Sequence, residues 1–175
     1  MHIRFFVYLC LMDYLHVDDV KSLAQRAHSN KSFMDELWAI LFDGTNQRAS
    51  NNAAWAMMHL PKSDLTHIDA HRDRLSELAL ETVNITMRRL SLALLERLDW
   101  SIDDIRTDLL DFCLEHLALA EEPYGIRSVC MKLAYKMCRH YPELKEELRL
   151  SLLLIEPTDL GRGVRHTRNN ILQQL

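Results

Sequence analysis

Apolar residues recur every three or four positions along most of this chain, and nowhere in sustained alternation. After Ser101 the positions Ile102, Ile105, Leu109, Cys113, Leu117 and Ala120 fall on one face of a helix. After Gly125 come Ile126, Cys130, Leu133, Met137 and Tyr141, and after Pro142 come Leu144, Leu148, Leu152 and Ile155. Such stripes bury one side of an α-helix and leave the other in water. Breakers are scarce, with four glycines and four prolines in 175 residues, against a usual share of roughly 12% for the two together. A sandwich or barrel needs far more turn residues, so all-β folds and disordered tails are excluded. The pattern predicts helices near 18–28, 31–43, 46–60, 69–82, 84–98, 102–120, 124–140, 143–156 and 162–174. Ser32-Phe-Met-Asp35 and Ser101-Ile-Asp-Asp104 read as acidic variants of a helix-start signature. The short links make sequence neighbours antiparallel.

The second helix of each pair repeats. Arg48, Arg88, Arg127 and Arg165 are spaced by 40, 39 and 38 residues. Six positions after each Arg stand Ala54, Leu94, Leu133 and Ile171, and ten after stand Met58, Leu98, Met137 and Leu175. Polar exceptions collect in the end copies, which have a neighbour on one side only.

This pattern over residues 31–175 resembles HEAT repeats. The phrases Asn52-Ala-Ala-Trp55, Cys130-Met-Lys-Leu-Ala-Tyr135 and Thr167-Arg-Asn-Asn-Ile-Leu172 are similar to a group of small bacterial HEAT-type (armadillo-type) proteins with no assigned activity. The resemblance implies an all-α, right-handed α-α superhelix of about four HEAT-like hairpins plus an N-terminal helix. The length of 175 residues reads as a single domain over 1–175, and in such a solenoid the second helices line the concave face. The resemblance carries no functional residues. Tetratricopeptide repeats fit less well, because their period is about 34 and their Trp/Gly/Tyr pattern is absent.

Charge is segregated between the helix classes. The chain holds 21 Lys and Arg against 25 Asp and Glu, a net −4. The second-helix segments nevertheless sum to +11 and the first-helix segments to −15. A near-neutral chain of this kind presents a basic groove and an acidic back. Rotating the second helices by 100° per residue puts Lys132, Lys136 and Arg139 away from the core, with Arg89 and Arg97 one copy upstream. These five residues are the expected binding patch, with solubilising surface charge as the plain alternative. The same register puts Ala49, Ala53 and Met57 outward in the first copy. The four repeated arginines sit at the core edge, where they are expected to bridge carboxylates such as Asp43, Glu81, Glu122 or Asp159 between copies. The stripe Asp104, Asp108, Asp111 and Glu115 reads as a solvated convex face, since a calcium loop would need a Gly turn.

Chemistry is mostly absent from the sequence. His67 and His71 with Asp69 and Asp73 are too loose a match for a metal site, and neither metal nor cofactor is expected. No phosphate-binding Gly loop and no Gly-x-Ser-x-Gly elbow occurs. Cys10, Cys113, Cys130 and Cys138 form no zinc spacing and sit in apolar contexts, as buried thiols do in the reducing cytoplasm. No apolar run reaches the roughly 18 residues of a spanning helix. The apolar segment Phe5–Met12 has three readings: an extension ahead of a natural start at Met12, a packed or frayed extra helix, or a signal peptide that lacks its cleavage site.

The expected function is therefore a non-catalytic, cytoplasmic binding or scaffold module. Its expected partner is an acidic protein segment or another anionic macromolecule, including a nucleic-acid backbone. The alternative is a DNA-repair glycosylase-like HEAT protein acting on alkylated bases, for which Trp38, Trp55 or Trp100 would serve beside an Asp and an Arg. No acidic residue falls among the outward positions of the second helices, which weighs against it.

Overall fold

A computed structural model describes residues 11–156 and 160–175. Most of the N-terminal apolar segment, Cys10 and Asp159 lie outside them. The described residues are helical and contain no strand. The helices are α1 (Val17–Ser29), α2 (Lys31–Asp43), α3 (Gln47–Met58), α4 (Leu65–Asp69), α5 (Arg72–Glu81), α6 (Ile85–Glu96), α7 (Thr107–His116), α8 (Tyr124–Cys138), α9 (Pro142–Leu154) and α10 (Arg162–Leu172). Two compact units divide the chain, residues 1–94 and 95–175, with the boundary inside α6.

Several helix starts differ from the sequence reading. Helix α2 is capped by Asn30, whose side chain accepts from Phe33 N at 3.1 Å, rather than by Ser32. Ser101 and Asp104 do form a capping box, but it closes a single 3-10 turn, Ile102–Asp104. Ile105 then turns extended (ψ 123), so α7 begins only at Thr107. The expected helix 69–82 is α5, which starts only at Arg72; the short α4, Leu65–Asp69, precedes it, separated at Ala70 and His71. Gly44 ends α2 at φ 69, a left-handed conformation that favours glycine. Asn46 caps α3 through Ala49 N at 3.0 Å.

In the first unit, α1 packs on both α2 and α3, and α2 packs on α3. The buried side of α2 is large (Phe33, Met34, Leu37, Trp38, Ile40, Leu41), and that of α3 is small (Ala49, Ser50, Ala53, Ala54, Ala56, Met57). Small residues on one helix let bulky ones on its partner interdigitate at close range. Leu11 is fully buried, and Asn52 ties down its backbone by donating to the carbonyls of Leu11 at 2.9 Å and Asp13 at 3.0 Å.

In the second unit α8 is central, packing against α7, α9 and α10. It buries nine residues, including Ile126, Arg127, Cys130, Leu133 and Met137. Cys113, Cys130 and Cys138 are free thiols in this core. Burial pushes the Cys113 thiol well up, helped by its hydrogen bond with Cys130. Burial, and then the charge of Glu147, push Cys138 up to about 12. Such thiols stay protonated and unreactive.

The repeated arginines at 88, 127 and 165 bind backbone carbonyls, contacts that the sequence reading did not expect. Arg88 Nε donates to Ala79 O at 3.2 Å and its Nη2 to Thr82 O at 2.5 Å. Arg127, 1% exposed, donates to Leu117 O at 3.2 Å, and Arg165 to Leu160 O at 3.2 Å. Arg88 and Arg127 therefore satisfy carbonyls left open where the first helix of their own hairpin ends. In the last copy buried Arg168 does this, its Nε donating to Leu152 O at 2.7 Å, while Arg165 reaches the segment ahead of its own helix. In the first copy this work falls to Ser50, whose Oγ donates to Ile40 O at 2.9 Å. The structural column is thus Ser50, Arg88, Arg127 and Arg168, at spacings of 38, 39 and 41. Arg48 is not part of it. Its guanidinium lies 4.1 Å from the Tyr14 ring centre instead.

Candidate binding face

The solvent side of a second helix is set by what its core side buries. On α8 the buried positions leave Ser128, Lys132, Lys136 and Arg139 facing outward, and their environments differ. Lys132 is exposed and has no partner among the described residues. Lys136 is half-buried: its Nζ donates to Leu98 O at 3.0 Å and to Glu96 O, and lies 3.8 Å from the Glu96 carboxylate. Arg139 donates through Nη2 to Trp100 O at 3.1 Å, and His140 Nε2 reaches the same oxygen at 2.8 Å. Residues 96–100 are the end of α6 and the segment after it, where carbonyls are unsatisfied and the helix dipole is negative. Lys136 and Arg139 are therefore caps reaching from one hairpin to the preceding one.

The structure brings Lys136 and Arg139 onto the segment that carries Arg97, itself half-buried. Lys132 lies one turn before Lys136 on α8. Arg89 is exposed on α6, in the first unit, and has no partner among the described residues.

In the first copy the sequence register is out by two residues. Ala49, Ala53 and Met57, expected outward, are fully buried. The exposed side of α3 instead holds Gln47, Arg48, Asn51, Asn52 and Trp55, and these line a groove of about 550 Å³. Its other walls include Asp13, Tyr14 and Thr86. The signal was present, because alanines at 49, 53, 54 and 56 make a close-packing face. Arg48, in step with the three later arginines, points to a different face.

Paired helices, a carbonyl-binding side chain repeated every 38 to 41 residues, and second helices capped by their neighbours define a helical repeat. The family model of a HEAT repeat domain matches residues 10–175. The chain belongs to the HEAT repeat family. No curated protein and no solved structure matches it.

Several other polar groups of these HEAT hairpins have local partners. His116 stacks on Phe112 at 3.8 Å and meets Glu122 at 2.7 Å. His28 pairs with Asp64 at 2.9 Å. His71 packs against Trp38 and Phe42, at 4.3 and 5.6 Å between ring centres. Burial, and then the Arg74 charge, pull its pKa down. In the acidic stripe Asp104 is the cap of Ser101, and the Arg106 guanidinium beside Asp108 holds that carboxyl below its usual range. Among the described residues no group of three or more His, Cys, Asp or Glu side chains is placed to hold a metal ion. No helix among them is long and apolar enough to cross a membrane.

Proposed function

We propose that this HEAT-repeat chain is a non-catalytic binding or scaffold module. It presents the solvent-facing, concave side of its second helices to an anionic macromolecule, either an acidic protein segment or a nucleic-acid backbone. The proposed contact residues are Arg89, Arg97, Lys132, Lys136 and Arg139. The observation that carries this reading is the pair Arg89 and Lys132: exposed cations with no carboxylate among the described residues to neutralise them. Arg139 and Lys136 add positive charge while holding the chain together, so their field acts at longer range than their hydrogen bonds. The unbroken family match from residue 10 to residue 175 supports a single module over 1–175. Buried reduced thiols support a cytoplasmic setting. Pull-down from native cells, with and without nuclease, tests the reading. An acidic protein captured in both arms or a nuclease-sensitive complex supports it, and a partner lost in neither low salt nor high salt overturns its electrostatic basis.

A glycosylase-like reading draws on one juxtaposition, Asp13, Arg48 and Trp55 around the first-unit groove. Asp13 is exposed, whereas a catalytic carboxylate is normally held in a sequestered pocket. Release of a free base from alkylated DNA, abolished by Asp13→Asn, would establish that reading.

A further inference from the structure

The first-unit groove has a chemistry of its own, independent of the basic residues above. Its formal charges are one of each sign, Asp13 and Arg48. A phosphate backbone draws its affinity from several cations, which this groove lacks. Acceptors line it too, at Asp13, Gln47 and Thr86, but the stripe Arg48, Asn51 and Trp55 along α3 offers aromatic surface and hydrogen-bond donors. Tyr14 is 84% exposed, and Trp55 is half-buried on the facing helix. The Trp55 indole N–H has no partner among the described residues. Asn51 Oδ1 is occupied by Asn84 Nδ2 at 3.2 Å, which leaves the Asn51 amide as a donor. The Tyr14 hydroxyl accepts from Arg48 Nη2 at 3.2 Å, so its own proton is free to be given. Asn52 spends both amide hydrogens on Leu11 O and Asp13 O.

We propose that this groove binds a proline-rich peptide segment in the polyproline II conformation. An ordinary extended peptide carries as many N–H groups as carbonyls and needs acceptors in equal number. Proline has a carbonyl and no N–H, so a proline-rich segment matches a wall whose inner stripe, Arg48, Asn51 and Trp55, is made of donors. The spacing agrees. Arg48 and Trp55 are seven residues apart on α3, a rise of about 10.5 Å. One turn of polyproline II is about 9.3 Å. Carbonyls one turn apart on the ligand therefore meet donors at the two ends of the stripe. Pyrrolidine rings between them pack on the Tyr14 and Trp55 faces, and the preformed ligand helix keeps the ordering cost low.

Titration of the isotope-labelled full chain with an oligoproline peptide, followed by NMR, tests this. The expected result is saturable shifts of the Trp55 indole N–H and the Asn51 side-chain amide. A Gly-Ser peptide of equal length should produce neither, and raising the salt should change little. Trp55→Ala and Tyr14→Ala should each weaken binding by about tenfold or more, as loss of an aromatic anchor does. Tyr14 is so exposed that its variant gives up little beyond its contact with Arg48 and stays folded, which a thermal melt checks and which separates lost binding from lost folding. Equal shifts with the Gly-Ser peptide, no saturable shift at Trp55, or a response there only to an acidic peptide or to alkylated DNA would overturn the proposal. None of these outcomes bears on capture by the basic residues, which a change of salt reads separately.

Discussion

Lys136 on α8 donates to the carbonyl oxygen of Leu98, 3.0 Å away and just past the end of α6. The ammonium also reaches Glu96 O, so one side chain satisfies two carbonyls that the preceding helix leaves open. A residue read from the sequence as a surface cation is therefore a joint between consecutive HEAT hairpins.

Lys136→Ala should cost about 1–3 kcal/mol, because it strands part-buried acceptors. Lys132→Ala, one turn away and exposed, should stay within about 0.5 kcal/mol. Leu133→Ala, which empties a fully buried position between them, should cost about 2–5 kcal/mol. Urea melts of the three variants check the order Leu133, Lys136, Lys132. Equal values for Lys136 and Lys132 would show that the capping contacts contribute nothing.

The corrected register of the first copy makes its own prediction. Ser50→Ala leaves the buried Ile40 carbonyl without its donor and should destabilise by about 1–3 kcal/mol. Arg48→Ala removes an exposed cation–π contact with Tyr14 and should cost about 0.5–1 kcal/mol. Thermal or chemical unfolding of the pair distinguishes the structural column from the one that the arginine spacing suggests.

His71 should titrate below the ordinary histidine range, because burial against Trp38 and the nearby Arg74 disfavour its charged form. Asp35 opposes this and His67 reinforces it. The folded state then binds fewer protons than the unfolded state as pH falls through the unfolded value of 6.5. Its contribution is fully present above that pH and is lost as pH drops below it. An NMR titration of the His71 ring should show the low pKa, and His71→Phe should flatten this part of the stability profile.

Helix class and hairpin order were legible because the apolar spacing of α8 and α9 follows the core directly: Ile126, Cys130, Leu133 and Met137 are all buried. The three later copies align for the same reason. The first copy did not, because an arginine two residues before Ser50 imitated the repeated position, and serine gives no sequence signal for a carbonyl contact. Ser101 announced a helix start correctly as chemistry but wrongly as length, since nothing local reveals that Ile105 turns extended. For the binding face, the sequence gives which side of α8 is outward. It does not reveal that carbonyls at 96, 98 and 100 occupy Lys136 and Arg139, because those contacts join residues about 40 apart. The groove beside Tyr14 was hidden for the same reason, as it depends on contacts such as that of Arg48 with a residue 34 positions away.

The most direct test of the proposed function reverses the two exposed cations of the proposed patch that hold no partner among the described residues. Arg89→Glu with Lys132→Glu replaces a pair of uncommitted positive charges by negative ones and leaves Lys136, Arg139 and their carbonyls in place. Capture of the native partner should fall steeply at physiological salt while the thermal melt stays at its wild-type position, because on-rate and specificity follow the surface field. Undiminished capture by the folded double variant would contradict the account.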